Sequence, residues 1–302
     1  MSHHMLHILT AGAVLRKQRG NVVFECRASN TRRQLPLEDI RAIIIAARGV
    51  TLTPDLLREL MDHNTIVLHC DHSFKPVGVT ASLNRTVNRD ALLNQVNTNL
   101  KLHERLWKRV LTTKISNQAG LLKGLGFENA FLTRQLHNST LDEASAARFY
   151  WQGFFAALGV SGTRRRRDLD SPPNACLNYG YAVAQALVHR SIIAHGLTPA
   201  IGLHHVTRYD ADPMVYDLME PVRPFVDGML ADYVFQGHSM AEKAADMRDW
   251  CRHVATNLMG VDVPHKRGPK KLIDAIDHYV SCIEQCFRAK SVKNYWGPKL
   301  KL

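Results

Sequence analysis

The chain has 302 residues, 45% of them hydrophobic and 22% charged, a balance that supports a large packed core and argues against disorder. Its 39 Lys and Arg against 27 Asp and Glu leave a formal charge of +12, so the expected partner is a polyanion, nucleic acid before an anionic membrane surface. The six cysteines form no Cys-x-x-Cys pair, no apolar run reaches the ~18 residues of a membrane span, and residues 1–7 carry no signal-peptide pattern; the expectation is a soluble, cytoplasmic protein with reduced thiols.

The first eighty residues read as strands with one helix. Asn21–Cys26 and Ile40–Ile45 are short, β-branched and apolar, as strands require. Thr53-Pro54 supplies an N-cap and a first-turn proline, and Leu56, Leu57, Leu60 and Met61 repeat at helical spacing until Asn64. Thr65–Cys70 and Pro76–Thr80 read as two further strands. From about Asn84 the pattern turns helical: one or two long helices over 88–123, then segments over 140–158, 174–195, 221–235, 239–259 and 269–289, with cap-like residues at their ends. The expected architecture is α+β, a small β-rich domain over 1–83 and a larger all-α domain over 84–302. A basic loop, Arg164, Arg165, Arg166 and Arg167, joins two of the helices, and the tail over 290–301 is lysine-rich.

The stretch over 202–227 holds His204, His205, Asp217, Glu220 and Asp227 among apolar residues. Carboxylate oxygens with one imidazole suit a hard divalent ion such as Mg²⁺ or Mn²⁺, whereas zinc and a non-haem iron triad find no supporting spacing. Asp217-x-x-Glu220 followed by Pro221 also fits a capping box, so either acid has a purely local explanation. Glu143 shares a helix face with Ala146, Ala147, Tyr150, Phe154 and Ala157; it needs a cation, a hydrogen-bond network or a metal there, or else it stays wet in the first turn. Arg148, the 164–167 run and Arg223 are candidate phosphate contacts, and Tyr295 and Trp296 candidate stacking residues, with Tyr179 and Tyr181 read first as core or site-lining.

Several segments resemble the CRISPR-associated integrase, the endonuclease that inserts new spacers into CRISPR arrays. The resemblance is carried by Leu35-Pro-Leu-Glu-Asp-Ile40, Asp71 with Pro76-Val-Gly78, Lys114-Ile-Ser-Asn-Gln-Ala119, Glu143 with Ala146-Ala-Arg148-x-Tyr150, Pro173-Asn-Ala-x-Leu-Asn-Tyr-Gly-Tyr181, Pro199-Ala-Ile-Gly-Leu-His-His205 and Asp217–Asp227. These run in the family's order over nearly the whole chain, and the Lys-Ile-Ser-Asn-Gln segment looks most like the type II form. One departure stands out: where the family pattern has Arg-Glu before the helix alanines, this chain has Asp142-Glu143.

The resemblance implies a β domain for dimerisation and DNA contact, an α-helical catalytic domain, a homodimer on double-stranded DNA, and a small ferredoxin-like partner bridging two dimers. It implies Glu143, His205 and Glu220 as catalytic ligands of Mg²⁺ or Mn²⁺, with Asp217 and His204 accessory. The expected reaction is attack of DNA 3′-hydroxyls on repeat-boundary phosphodiesters, with water as the nucleophile in endonuclease activity. A transposon-derived integrase acting without the partner, and a non-catalytic DNA-bridging protein whose acids only cap helices, are the alternatives.

Overall fold

The computed structural model describes residues 4–63, 65–71, 76–82, 89–138, 141–166, 172–205, 212–238, 240 and 244–301. Its first third holds β1 (His4–Ile8), β2 (Val14–Gln18), β3 (Asn21–Cys26), β4 (Thr31–Pro36), β5 (Ile40–Ile45), β6 (Thr51–Leu52), α1 (Pro54–Asp62), β7 (Ile66–Cys70) and β8 (Pro76–Thr80). They make two four-stranded sheets, ordered β1-β5-β7-β8 and β4-β3-β2-β6. In the first, β5 runs parallel to β1 and β7, and β8 closes the edge antiparallel.

Strand β5 shows how the layers form. Side chains alternate across a strand, and here Ala42 and Ile44 enter the core shared with the helices while Ile43 and Ile45 enter the core shared with Leu15, Val22, Leu56 and Leu60. A strand covered on both faces reads as the unbroken apolar run Ala42-Ile-Ile-Ile45. Strands β1, β2, β4 and β6 come in addition to the four expected. The β2–β3 hairpin turns at Arg19-Gly20, with φ of 47° and 76°, which matches the twist of the paired strands.

The helices are α2 (Arg89–Val96), α3 (Leu100–Gly124), α4 (Ala130–His137), α5 (Glu143–Ala157), α6 (Pro172–Ala194), α7 (Pro213–Met219), α8 (Arg223–Phe235), α9 (Ala244–Asn257) and α10 (Leu272–Arg288). The 25-residue α3 buries Leu106, Val110, Ile115 and Leu122 and packs on α4, α5, α7 and α8. The apolar α6 packs against α7, α8, α9 and α10 and reaches strands β5, β7 and β8, so one core runs from the first sheet through the bundle. Gly180 permits the close passage of α6 and α8, since a Cβ there would stand 2.4 Å from Val226 Cγ1.

Two expectations need correction. Helices α4 and α7 replace what read as connecting chain. The helix expected from Pro221 begins at Arg223, with Pro224 in its first turn. The architecture is α+β as expected, and the mostly helical second part also carries a two-stranded ribbon, β9 (Asp262–Val263) with β10 (Lys270–Lys271). Tyr295 and Trp296 are half-buried against the core, Tyr295 sharing a 2.9 Å hydrogen bond with Thr113. Among the described residues no helix is long and apolar enough to cross a membrane.

Candidate metal and nucleic-acid site

Three elements bring the acids together. Asp142 caps α5, its Oδ1 accepting from Ser145 N–H at 3.0 Å, which leaves Glu143 as the first helical residue at the bundle surface. The departure from Arg-Glu thus has a local use. Glu220 sits where α7 ends and α8 has not begun, in a break that Pro221 and Pro224 keep from fusing. Asn117 of α3 steadies that break: its Nδ2 donates to Pro221 O at 3.0 Å and Pro298 O at 2.9 Å, and its Oδ1 accepts from Leu300 N–H at 3.1 Å.

Lys114, one turn earlier on α3, is the residue that reading the sequence did not place in the site. Its Nζ lies 2.9 Å from Glu143 Oε1 and 2.6 Å from Glu220 Oε2, and its side chain is only 10% exposed. The other oxygen of Glu220 accepts from Arg223 Nε at 2.7 Å. Burial opposes ionisation of Glu220, yet the cations of Arg223 and Lys114 outweigh it and hold the carboxyl down at about 2. Burial likewise disfavours the charged form of Lys114, but Glu220 and Glu143 together raise its pKa.

The histidine pair is split by its surroundings. His204 is exposed and stacks on Trp107, centroids 4.7 Å apart and planes 5° from parallel. His205 meets the same indole edge-on, centroids 5.7 Å apart, and its Nδ1 lies 2.5 Å from Asp217 Oδ1. That hydrogen bond is the main reason its pKa is raised; burial works against the rise, and Asp217, Glu220 and Glu143 add to it through their charge. Asp217 is fully buried inside α7 and takes the N–H groups of Leu203, His204 and His205 at 2.5, 2.9 and 3.4 Å. The capping-box reading of Asp217-x-x-Glu220 is therefore replaced: Asp217 caps no helix and instead folds the loop that presents the histidines. Gly202 lets that loop close over it, since a Cβ there would meet Asp217 Oδ2 at 2.7 Å. Gln95 of α2 holds the loop from the other side, bonding the backbone of Thr198 and Ile201.

A second layer lies behind Arg223. Its guanidinium stands 4.7 Å over the ring of Tyr181, and Arg165 stands 5.3 Å from the same ring. The Tyr181 hydroxyl donates to Asp227 Oδ1, and Tyr150 donates to Asp227 Oδ2 at 2.6 Å. Asp227, previously without a role, is the buried anchor of both phenols. Arg165 also donates to Asn174 and Asn178, so it belongs to the bundle and not to a loose loop. Arg148, Arg164 and Arg166 are exposed nearby, Tyr179 is buried, and Arg167 lies outside the described residues.

Among the described residues no three His, Cys, Asp or Glu side chains converge closely enough to hold a metal as they stand. Between Glu143 and Glu220 the position is held by the ammonium of Lys114, a cation already bound by both carboxylates. In kind the donor set fits a hard divalent ion: two carboxylates, and an imidazole whose other nitrogen is fixed by a buried aspartate, as metal-binding histidines usually are.

Comparison with known proteins agrees over nearly the full length. The chain is 28% identical to the CRISPR-associated endonuclease Cas1 of Neisseria meningitidis serogroup C (strain 8013), across 99% of this chain and 97% of that protein. Its fold is similar to a casposase bound to integration product, with a TM-score of 0.82 at 17% identity, covering 98% of this chain and 94% of that one. It is also similar to a chain of a Cas6-RT-Cas1–Cas2 complex, with a TM-score of 0.77 at 16% identity, over 99% of this chain and 36% of that one. The model of the family CRISPR associated protein Cas1 matches residues 6–249, and the chain belongs to that family.

Proposed function

We propose that this protein is a metal-dependent DNA endonuclease and integrase of CRISPR adaptation, joining short DNA duplexes into a repeat array. The observation that carries the reading is the meeting of Glu143, from the start of α5, and Glu220, from the α7–α8 break, on one buried cation, with His205 braced beside them by Asp217.

Glu143, His205 and Glu220 would hold Mg²⁺ or Mn²⁺, which when bound polarises a phosphodiester and offsets the charge that develops on it. The remaining work falls to the chain. Asp217 accepts from Nδ1 of His205 and so keeps Nε2 as the ligating nitrogen. Arg223 holds Glu220 ionised and fixed in orientation. Arg148, Arg164, Arg165 and Arg166 would supply positive charge to DNA phosphates, with Arg167 next to them in the sequence. A DNA 3′-hydroxyl gives up its proton to solvent as its oxygen forms the new P–O bond, and the P–O bond to the target strand's 3′-oxygen breaks as that oxygen takes up a proton; with water as the nucleophile the outcome is hydrolysis.

The β-rich 1–83 serves dimerisation and DNA contact in this reading, and a small ferredoxin-like partner bridges two dimers, in keeping with the Cas1–Cas2 pairing named for one fold relative. A transposon-type integrase acting without that partner is the second reading, favoured by the likeness to a casposase. A strand-transfer assay with labelled duplex ends and a repeat-bearing plasmid, run with and without the partner and with Mn²⁺ or a chelator, tests both. The expected result is metal-dependent insertion at repeat boundaries that requires the partner. Insertion by this chain alone at scattered sites supports the second reading, and insertion in chelator removes the metal.

A further inference from the structure

We propose that Lys114 is a built-in counter-cation of the Glu143–Glu220 pair which a divalent ion has to displace, so that Lys114 sets the metal concentration at which the site loads. The inference rests on the metal-site reading above and deepens it. Glu220 has both oxygens engaged, Oε1 by Arg223 and Oε2 by Lys114, while Glu143 presents Oε1 to Lys114 from a side chain that is 40% exposed. An ion entering from solvent toward both glutamates meets Lys114 between them; Arg223, on the far oxygen of Glu220, does not stand in that path.

The side chain suits the task. Lysine carries a compact charge on a flexible stem, so its ammonium can withdraw along the stem where the planar fork of an arginine would clasp a carboxylate by two bonds. The position on α3 is also fixed: the flanking Leu111, Ile115, Asn117 and Gln118 are all buried, so the stem starts from rigid ground. Without metal the ammonium offsets the like charges of the two carboxylates, which would otherwise repel each other across the gap it fills. Lys114 thus makes the metal-free site stable and makes metal entry an exchange of cations.

The test uses the full chain and Mn²⁺ alone, with free Mn²⁺ followed by electron paramagnetic resonance and the melting temperature recorded with and without the ion. Lys114→Met, which keeps the length and removes the charge, is expected to bind Mn²⁺ at least about tenfold tighter, a change of the size found for groups just behind metal ligands. It should melt lower without metal and gain more from Mn²⁺ than the wild type. Lys114→Arg is expected to bind Mn²⁺ several-fold more weakly, and it carries the test if the methionine variant does not fold. Equal or weaker binding by Lys114→Met, or unchanged binding by Lys114→Arg, overturns the proposal. Glu143→Gln separates the two levels: if it binds Mn²⁺ as well as the wild type, or the wild type binds none, the metal site itself fails and the role of Lys114 falls with it.

Discussion

Asp217 holds His205 through two bonds of different kinds, one from the ring Nδ1 at 2.5 Å and one from the backbone N–H at 3.4 Å. A single buried carboxylate therefore sets both the path of the loop and the face of the ring. Replacing Asp217 by Asn keeps an oxygen for the loop N–H groups but weakens the grip on the ring. We expect strand transfer to fall by about 10- to 100-fold, the range for partners of metal-binding histidines, with a smaller loss of melting temperature. Full activity in Asp217→Asn would contradict this role.

Asp142 offers a test of the capping account. Its side chain accepts one of the otherwise unpaired N–H groups at the start of α5. Asp142→Ala should lower stability, and Asp142→Ser should recover most of the loss, both read by denaturant unfolding. An alanine variant as stable as the parent would remove the cap.

Burial pushes the Asp227 carboxyl up to about 6, although the O–H donors of Tyr150 and Tyr181 and the charges of Arg165 and Arg223 pull it down. A carboxyl raised on folding contributes stability that is full below its unfolded pKa, near 4, and is lost as pH rises through its folded value. The change is on the order of 2–3 kcal/mol. Asp227→Asn should flatten the melting temperature between about pH 4 and 7. The same slope in variant and parent would assign the pH dependence elsewhere.

Arg164 and Arg166 are exposed, whereas Arg165 is tied to Asn174, Asn178 and the ring of Tyr181. If the outer two contact DNA phosphates, the double change to Gln should lower the slope of log affinity against log salt by about 2. Arg165→Gln should instead lower the melting temperature. An unchanged salt slope in the double variant would place the DNA elsewhere.

Much of this was readable from local chemistry. Thr53-Pro54, the apolar Ile40–Ile45 run and the helical spacing of 88–123 each state their structure within one segment, and the structure follows them. The missed parts depend on partners far away in sequence. Strand β4, Thr31-Arg-Arg-Gln-Leu-Pro36, is polar and exists by pairing with β3 along its whole length. Helix α7 is seven residues long, too short to show a period, and is fixed by Asp217 against the 202–205 loop. In the site, acids and histidines among apolar residues stood out as a group, but the choice of Glu143, His205 and Glu220 from among them came only from the resemblance to the family. Lys114 did not stand out, because a lysine in a long polar helix is ordinary until the fold delivers Glu143 and Glu220 to its ammonium.

The most direct test of the central claim is strand transfer of a 3′-end-labelled duplex into a repeat-bearing plasmid in Mn²⁺, comparing the wild type with Glu143→Ala and His205→Ala, each first shown to fold and to bind the duplex. The expected result is loss of the joined product by at least about 100-fold in both variants with duplex binding retained. Joined product at the wild-type level from either variant would contradict the metal-site account of this protein.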